Sequence, residues 1–273
     1  MMPPSTLAFD RLAPTYDQLV SGDAFQHQRA QTHAAFRRWI RPGSRILEIG
    51  CGTGLDTVFL AGLGARIVAC DPSEEMLSRT KRRLSTAGVG DRAGILPCGL
   101  QELPRFLDAL DHGEGFDAIV SNFGALNCAS SLEPLGIVGC HHLRTGGAVI
   151  LGLIGRTCLW ETLYFTARGE PAKAARRRLP AVAVPVAGVE VPTFYHRRSD
   201  VQACLGEGFT LAGTVGIGVT VPPPYLESRW QQLPGVIRRA AMRIDRMAAG
   251  WPLLNQLGDH SLTRWVKDAV AHG

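Results

Sequence analysis

The sequence contains the stretch Ile46-Leu-Glu-Ile-Gly-Cys-Gly-Thr-Gly54, in which a short apolar run meets three closely spaced glycines. The apolar residues around Glu48 predict a short buried strand, and the spacing of apolar residues from Leu55 to Leu60 predicts a helix after it. Glycine suits a sharp turn between them, because it adopts backbone angles that other residues avoid and lets a ligand lie against the main chain. The stretch therefore predicts a strand–turn–helix unit that binds a ligand.

The spacing of the glycines narrows the kind of ligand. The turn reads G-x-G-x-G, whereas a dinucleotide-binding turn reads G-x-G-x-x-G and a P-loop requires Gly-Lys-Ser/Thr. The next predicted strand, residues 66–70, ends at Asp71, and an acid at that tip can bind both hydroxyls of a ribose. These features predict a site for a nucleoside without a phosphate chain.

Two segments resemble a known family. LEIGCGTG at 47–54 and ACDPSEEML at 69–77 together resemble the class I S-adenosylmethionine-dependent methyltransferases. The resemblance covers roughly residues 9–155 and resumes near 195–220 and 259–267. It implies an α/β fold with a Rossmann-like, mainly parallel seven-stranded sheet, helices on both faces and one antiparallel strand near the end. It also implies S-adenosyl-L-methionine as the cofactor.

The resemblance further implies which residues hold that cofactor. Glu48 would be an indirect partner of its ammonium group, and Asp71 would bind its ribose. Residues 9–17 resemble an F-D-x-x-A-x-x-Y-D segment whose tyrosine, here Tyr16, closes over the methionine end; a helix that only packs on the domain is the alternative. The predicted cofactor-binding residues are Tyr16, Glu48, Gly50, Cys51, Gly52, Thr53, Gly54, Asp71, Pro72, Met76, Gly99, Leu100, Gln101, Ser121, Asn122 and Phe123.

The predicted adenine contact departs from the family pattern. Residues 99–104 resemble a G-D-A-x-x-L-P loop, in which the Asp accepts a hydrogen bond from the adenine amino group. Gly99 stands where that Asp would be and has no side chain. We therefore expect the contact to come from the main chain of Leu100 or from Gln101.

The predicted organisation is a single methyltransferase domain over residues 1–273. Residues 9–155 form the cofactor-binding core, insertions at 156–190 and 222–258 form a cap or lid, and 259–267 form the final strand. Alternating valines near 181–191 predict a hairpin within the cap. We expect Asp259-His260 to begin the last strand rather than to act as a base. No catalytic residue is assigned, because the cofactor itself supplies the reactive group.

The predicted substrate is a small, apolar or aromatic metabolite methylated at O, N or C. Aromatic residues near the expected pocket mouth suggest this class, and Ser121-Asn122-Phe123-Gly124 lacks the Asn/Asp-Pro-Pro-Tyr/Phe motif of nucleobase amino methylases. An RNA or protein methyltransferase that uses arginines at 176–178 and 238–246 is one alternative, and a non-catalytic cofactor-binding scaffold is another. The predicted substrate-binding residues are Phe123, Trp160, Glu161, Tyr195 and Tyr225.

Composition bounds the remaining expectations. The 273 residues are 45% hydrophobic with a net charge of +5, and all but three of the 29 basic residues are Arg, which favours base-composition bias over nucleic-acid binding. Seven cysteines without C-x-x-C spacing predict free thiols and no metal site. With no apolar run of membrane-spanning length, we expect a cytoplasmic monomer or homodimer whose partner is a small-molecule methyl acceptor.

Overall fold

A computed structural model describes residues 2–110 and 115–269, and a seven-stranded sheet runs through its centre. The order of the seven strands is β3-β2-β1-β4-β5-β9-β8, and β6 and β7 form a separate hairpin. Strands β1 to β5 pair in parallel, whereas β9 runs antiparallel to β5 and β8. The predicted fold is therefore confirmed. The strands are β1 Arg45–Ile49, β2 Arg66–Cys70, β3 Ala93–Leu96, β4 Phe116–Ser121, β5 Leu143–Ile154, β6 Ala181–Val186, β7 Val189–Phe194, β8 Phe209–Ile217 and β9 His260–Lys267.

Helices cover both faces of the sheet, because alternate strand residues point to opposite sides. On one face Leu47 and Ile119 join a buried cluster, and on the other Ile46 and Val120 join a second. No described helix is long and apolar enough to cross a membrane. The helices are α1 Pro4–Leu19, α2 Asp23–Trp39, α3 Leu55–Gly62, α4 Glu74–Thr86, α5 Leu103–Asp108, α6 Glu133–His142, α7 Leu159–Ala167, α8 Pro171–Ala175, α9 Arg198–Leu205, α10 Glu227–Gln231 and α11 Gly235–Ala248.

The glycine turn after β1 is held in a conformation that requires glycine. Gly50 has a φ of +74°, and a Cβ added there would lie 2.3 Å from the Cβ of Ala125. Gly54 has a φ of +80° and packs against Thr80 of α4. Only a residue without a side chain lets both neighbours approach this closely.

The predicted cap insertions contain the first strand of the hairpin and the last two helices. Residues 156–190 carry α7, α8 and β6, and residues 222–258 carry α10 and α11. The hairpin turns at Ala187-Gly188, where both φ angles are positive (48° and 77°), as a two-residue turn between twisted strands favours. Its strands pack against α1. Whether these segments act as a lid stays a prediction.

Candidate active site

A cavity of about 880 Å³, including its open mouth, lies beyond the carboxyl ends of β1, β2 and β4. Strand order reverses between β1 and β4, and ligands of open α/β sheets bind at such a switch point. Among the described residues, no group of three His, Cys, Asp or Glu side chains could hold a metal ion. The predicted residues that line the cavity are Tyr16, Glu48, Gly50, Cys51, Gly52, Thr53, Asp71, Pro72, Met76, Asn122 and Phe123.

Glu48, near the end of β1, is a buried acid with an unsatisfied oxygen. Glu48 is only 4% exposed, and its Oε2 makes no hydrogen bond to any described residue. Burial raises the pKa of Glu48 to about 8, and the negative charges of Asp56 and Asp71 add to the rise. A buried acid in this state would be stabilised by a cationic ligand.

Asp71 follows β2 and connects the glycine turn to the start of α4. Its Oδ2 accepts a hydrogen bond from the Gly52 amide and its Oδ1 from the Ser73 amide, each at 2.9 Å. Burial raises the pKa of Asp71 to about 6, although these two amides act in the opposite direction. Ser73 Oγ in turn accepts from the Met76 amide and caps α4. The carboxylate is therefore held in one position at the cavity wall.

Two acids of helix α1 accept hydrogen bonds from loops that border the cavity. Asp17 accepts a hydrogen bond of 2.8 Å from Thr53 Oγ1, and Asp10 accepts one of 2.6 Å from Ser73 Oγ. Both bonds join α1 to the loops that follow β1 and β2. Tyr16 lines the cavity from α1, and burial raises the pKa of its phenol. The segment predicted to close over the methionine end thus contacts the glycine turn.

A charged network that the sequence analysis did not identify occupies one cavity wall. Asp56 accepts hydrogen bonds from Arg29 Nη1 at 2.7 Å, His33 Nε2 at 2.8 Å and Asn122 Nδ2 at 2.8 Å. Burial acts to raise the pKa of Asp56, but the hydrogen bond from His33 and the charge of Arg29 hold it below its usual value. Arg29 Nε has no hydrogen-bond partner among the described residues.

The Arg29 guanidinium also lies over two aromatic rings. Its central carbon is 4.9 Å from the centre of the Phe25 ring and 4.8 Å from that of Phe123. Such stacking holds a planar cation in place while leaving its edge free to donate hydrogen bonds. Arg29 is therefore a fixed positive charge at the cavity wall.

A second, mainly apolar crevice of about 870 Å³ adjoins the first cavity. The two share Phe9, Tyr16 and Phe123 in their walls. Phe123 has a φ of +48°, an uncommon backbone angle for a residue with a side chain, which aims its ring at the boundary. The other residues of the crevice wall are Leu12, Leu19, Val20, Phe25, Pro185, Val186, Ala187, Pro224 and His260.

His260 is a polar group within this apolar wall. It is the first residue of β9, as the expected strand start requires, and its ring lies edge-on to Phe123 with centres 5.6 Å apart. Its Nδ1 is 3.2 Å from Oδ2 of the neighbouring Asp259. The side chain is therefore both part of β9 and part of the crevice.

Five of the predicted cofactor-binding residues lie outside the cavity lining: Gly54, Gly99, Leu100, Gln101 and Ser121. Gly54 instead packs on Thr80, and the Gly99 amide donates a hydrogen bond of 3.2 Å to Glu102 Oε2. Gln101 is exposed, whereas Leu100 and Ser121 are buried. The predicted contacts of these five residues with the cofactor stay predictions.

The other predicted substrate-binding residues, Trp160, Glu161, Tyr195 and Tyr225, lie outside both linings. Trp160 Nε1 donates to the carbonyl of Thr220 at 2.8 Å. Tyr195 is buried, and its amide donates to the Pro180 carbonyl at 3.0 Å. Tyr225 is 49% exposed, and its hydroxyl accepts a hydrogen bond from Arg176. Their roles with substrate stay predictions.

Glu161 forms part of a buried ion-pair group. Arg177 Nη2 lies 2.6 Å from Glu161 Oε2 and 2.7 Å from Asp259 Oδ1, and Arg176 Nε lies 2.6 Å from Glu161 Oε1. Burial opposes ionisation of Glu161, but the charge of Arg177 and the hydrogen bonds from both arginines lower its pKa. This group joins α7 to the start of β9 and gives Glu161 a structural role.

Comparisons with known proteins indicate a methyltransferase domain within this chain. A family model described as a methyltransferase domain matches residues 46–147. The demethylmenaquinone methyltransferase of Clavibacter sepedonicus is 34% identical over 148 residues, covering 52% of this chain and 55% of that protein. The ubiquinone biosynthesis O-methyltransferase of Rhizobium johnstonii is 32% identical over 116 residues, covering 42% and 43%. The chain thus spans about half the length of these curated relatives.

Solved structures share the fold over most of the chain. The CcbJ methyltransferase from Streptomyces caelestis has a TM-score of 0.55 at 13% identity, covering 88% of this chain and 95% of that one. At that identity the likeness concerns the fold alone. The region matched by the family model contains Glu48, Asp71 and Phe123, whereas Tyr16 and His260 lie outside it.

Proposed function

Because residues 46–147 form a class I S-adenosylmethionine-dependent methyltransferase domain, we propose that the protein transfers a methyl group from S-adenosylmethionine to a small, largely apolar acceptor. One observation carries the proposal: a cavity with buried acids and an apolar crevice adjoin each other and share Phe9, Tyr16 and Phe123. Group transfer requires the methyl donor and the acceptor to lie side by side, and two adjoining sites would hold them in that arrangement.

The polar cavity suits the chemical groups of S-adenosylmethionine. Glu48 has a buried oxygen without a partner and would take up the positive ammonium. Arg29, with its Nε unpaired, would hold the carboxylate of the same methionine end. Asp71 would bind the ribose hydroxyls. Bound there, the cofactor supplies a methyl group on a positively charged sulfur, open to in-line displacement.

The apolar crevice would hold the methyl acceptor. The relatives named above are called demethylmenaquinone methyltransferase and ubiquinone biosynthesis O-methyltransferase. Those names support an aromatic acceptor of the quinone type, which suits walls made mostly of aliphatic and aromatic side chains. Phe123 would separate the acceptor's apolar body from the cofactor and orient its reacting edge.

His260 would remove the proton when the acceptor is a hydroxyl. His260 would accept the proton as the acceptor's O–H bond breaks and its oxygen takes the methyl group that the cofactor would supply. Asp259 Oδ2 lies 3.2 Å from His260 Nδ1, so its negative charge would stabilise the imidazolium formed when His260 takes up the proton.

The arginine clusters give little support to an RNA or protein acceptor. Arg176 and Arg177 are paired with Glu161, and Arg238 is paired with Asp23. In the described parts of the chain they form no continuous basic stripe at either cavity lining. A non-catalytic scaffold is the remaining alternative, and product formation distinguishes it.

The test begins with calorimetric titration of S-adenosylmethionine, followed by a methyl-transfer screen of naphthols and hydroquinones. Asp71→Ala should weaken cofactor binding by at least about tenfold, whereas His260→Asn should keep it and lower kcat by roughly 10²–10⁴-fold. His141→Asn, which makes the same replacement at an exposed residue of α6 outside both cavity linings, serves as the control and should behave as wild type. Saturable binding without any methylated product would favour the scaffold.

A further inference from the structure

Helix α11 exposes apolar side chains where a surface helix normally exposes polar ones. Val236 is 65% exposed, Ile237 49%, Ile244 55% and Met247 64%. With about 100° between successive helical residues, these four and Ala240 fall on one continuous arc of the helix. Surface helices normally bury such an arc in the core, so its exposure indicates that another molecule binds there.

The opposite side of α11 is firmly attached to the domain. Asp245 is fully buried, lies 2.9 Å from His27 Nε2 and accepts a hydrogen bond of 2.6 Å from the Thr220 amide. Arg238 Nη1 lies 2.6 Å from Asp23 Oδ2. The apolar arc is therefore the outer face of a docked helix, and swinging the helix inward would break these bonds.

A row of arginines borders the apolar arc. Arg239, Arg243 and Arg246 are exposed on the adjacent arc, and none is joined by a hydrogen bond or ion pair to residues 2–110 or 115–269. Beyond the helix, Trp251 is 62% exposed and Leu253 87%. We call the apolar arc and the arginine row together the α11 patch. It consists of Val236, Ile237, Arg239, Ala240, Arg243, Ile244, Arg246 and Met247.

We infer that the α11 patch docks the protein onto an anionic lipid bilayer. An apolar arc beside a basic row is the pattern of a helix that lies in the membrane interface, with its apolar side chains at the headgroup–acyl boundary and its cations on lipid phosphates. Trp251 would add an interfacial aromatic group. With 14 residues, α11 is too short to span the bilayer.

Charge complementarity favours this occupant over the others. A second copy in a two-fold contact would present the same patch, whose arginines would meet no exposed acid within it. A nucleic acid would match the arginines but leave the apolar arc in water. An anionic bilayer satisfies both halves of the patch.

The docked helix would rest on segments that form the apolar crevice. Helix α11 binds Asp23 and His27 of α2 and Thr220 of the loop that follows β8. Phe25 and Pro224, from the same two segments, line the crevice. The inference nevertheless goes beyond the proposed methyl transfer and does not depend on it.

Co-sedimentation of the full chain with vesicles tests the inference. Vesicles of phosphatidylcholine mixed with phosphatidylglycerol should bind the protein, more tightly at low salt than at high salt, and phosphatidylcholine alone should bind it far less. Ile244→Asp should weaken binding to mixed vesicles by about tenfold or more. Arg243→Gln should weaken it about fivefold.

Leu163→Asp is the matched control, because it places the same charge at a leucine on α7 that is 61% exposed. It should bind as wild type, and each variant should keep its thermal melting and S-adenosylmethionine affinity. The inference is overturned if wild type fails to bind mixed vesicles, if Ile244→Asp binds equally well, or if phosphatidylcholine alone binds as tightly. A dimer in gel filtration that Ile244→Asp dissociates, without vesicle binding, would instead assign the patch to a second copy.

Discussion

Replacing Glu48 by Gln should stabilise the unliganded protein while weakening its hold on S-adenosylmethionine. Glu48 is 4% exposed, and burial raises its pKa from 4.5 to about 8. Near neutral pH the acid must therefore take up a proton when the chain folds. Glutamine has nearly the shape of the protonated acid and needs no proton.

The magnitude follows from the shift in pKa. A raised pKa means that the folded state binds more protons than the unfolded one. The contribution of protonated Glu48 to the free energy of unfolding is therefore fully present below the unfolded pKa and is lost as pH rises through about 8. At pH 7, about 2.5 units above the unfolded pKa, the cost is on the order of 3 kcal/mol. Glu48→Gln should recover it, raising Tm by roughly 6–12 °C for a chain of this size.

Thermal melts of the two proteins between pH 4.5 and 8.5 measure the difference. The melting temperatures should be close at pH 4.5 and separate as pH rises. Glu207→Gln, which makes the same replacement at an exposed site, should follow wild type throughout. If Glu48→Gln melts at or below wild type at both ends of the range, the argument from burial is refuted.

The same substitution tests the partner proposed for Glu48. Binding of the cofactor's ammonium to wild type at pH 7 should release a proton, because the bound cation favours the ionised acid. Titrations in buffers of different ionisation enthalpy measure that release. Glu48→Gln should release none from this site and should bind more weakly.

Three further substitutions test other parts of the site. Asp71→Ala should weaken S-adenosylmethionine binding by at least about tenfold in calorimetry, and wild-type affinity should fall below about pH 6, where Asp71 becomes protonated; unchanged affinity would remove Asp71 from the site. Arg177→Ala removes the cation that bridges buried Glu161 and Asp259, although Glu161 keeps its pair with Arg176. It should cost about 3–5 kcal/mol in urea unfolding, and a loss below about 1 kcal/mol would contradict this. Gly50→Ala brings a Cβ to 2.3 Å from that of Ala125 and should be less stable than Gly52→Ala, whose Cβ would meet nothing within 4 Å; equal stability would show that the turn yields.

Local sequence determined most of the cavity proposed to bind the cofactor. The glycine turn, Glu48 and Asp71 lie at strand ends that a few neighbouring residues specify, and the structure places them together because the carboxyl ends of parallel strands meet at one edge. The resemblance carried by the same motifs implied the seven-stranded fold, and the alternating valines predicted the hairpin at 181–194. Alternating apolar residues and glycine turns depend only on neighbouring residues, so they can be predicted from the sequence alone.

Tertiary structure alone decided the crevice proposed to bind the acceptor. Arg29 and Asp56 lie on different helices, and each reads in sequence as an ordinary charged residue of a helix surface, yet they pair at 2.7 Å inside the cavity wall. His260 reads as a strand start, and only the packing of α1, α2 and the hairpin tip makes it part of a crevice. Trp160 and Tyr225 show the reverse, since aromatic side chains expected at the pocket bond elsewhere. Contacts between distant segments depend on how whole elements pack, and no local periodicity encodes that packing.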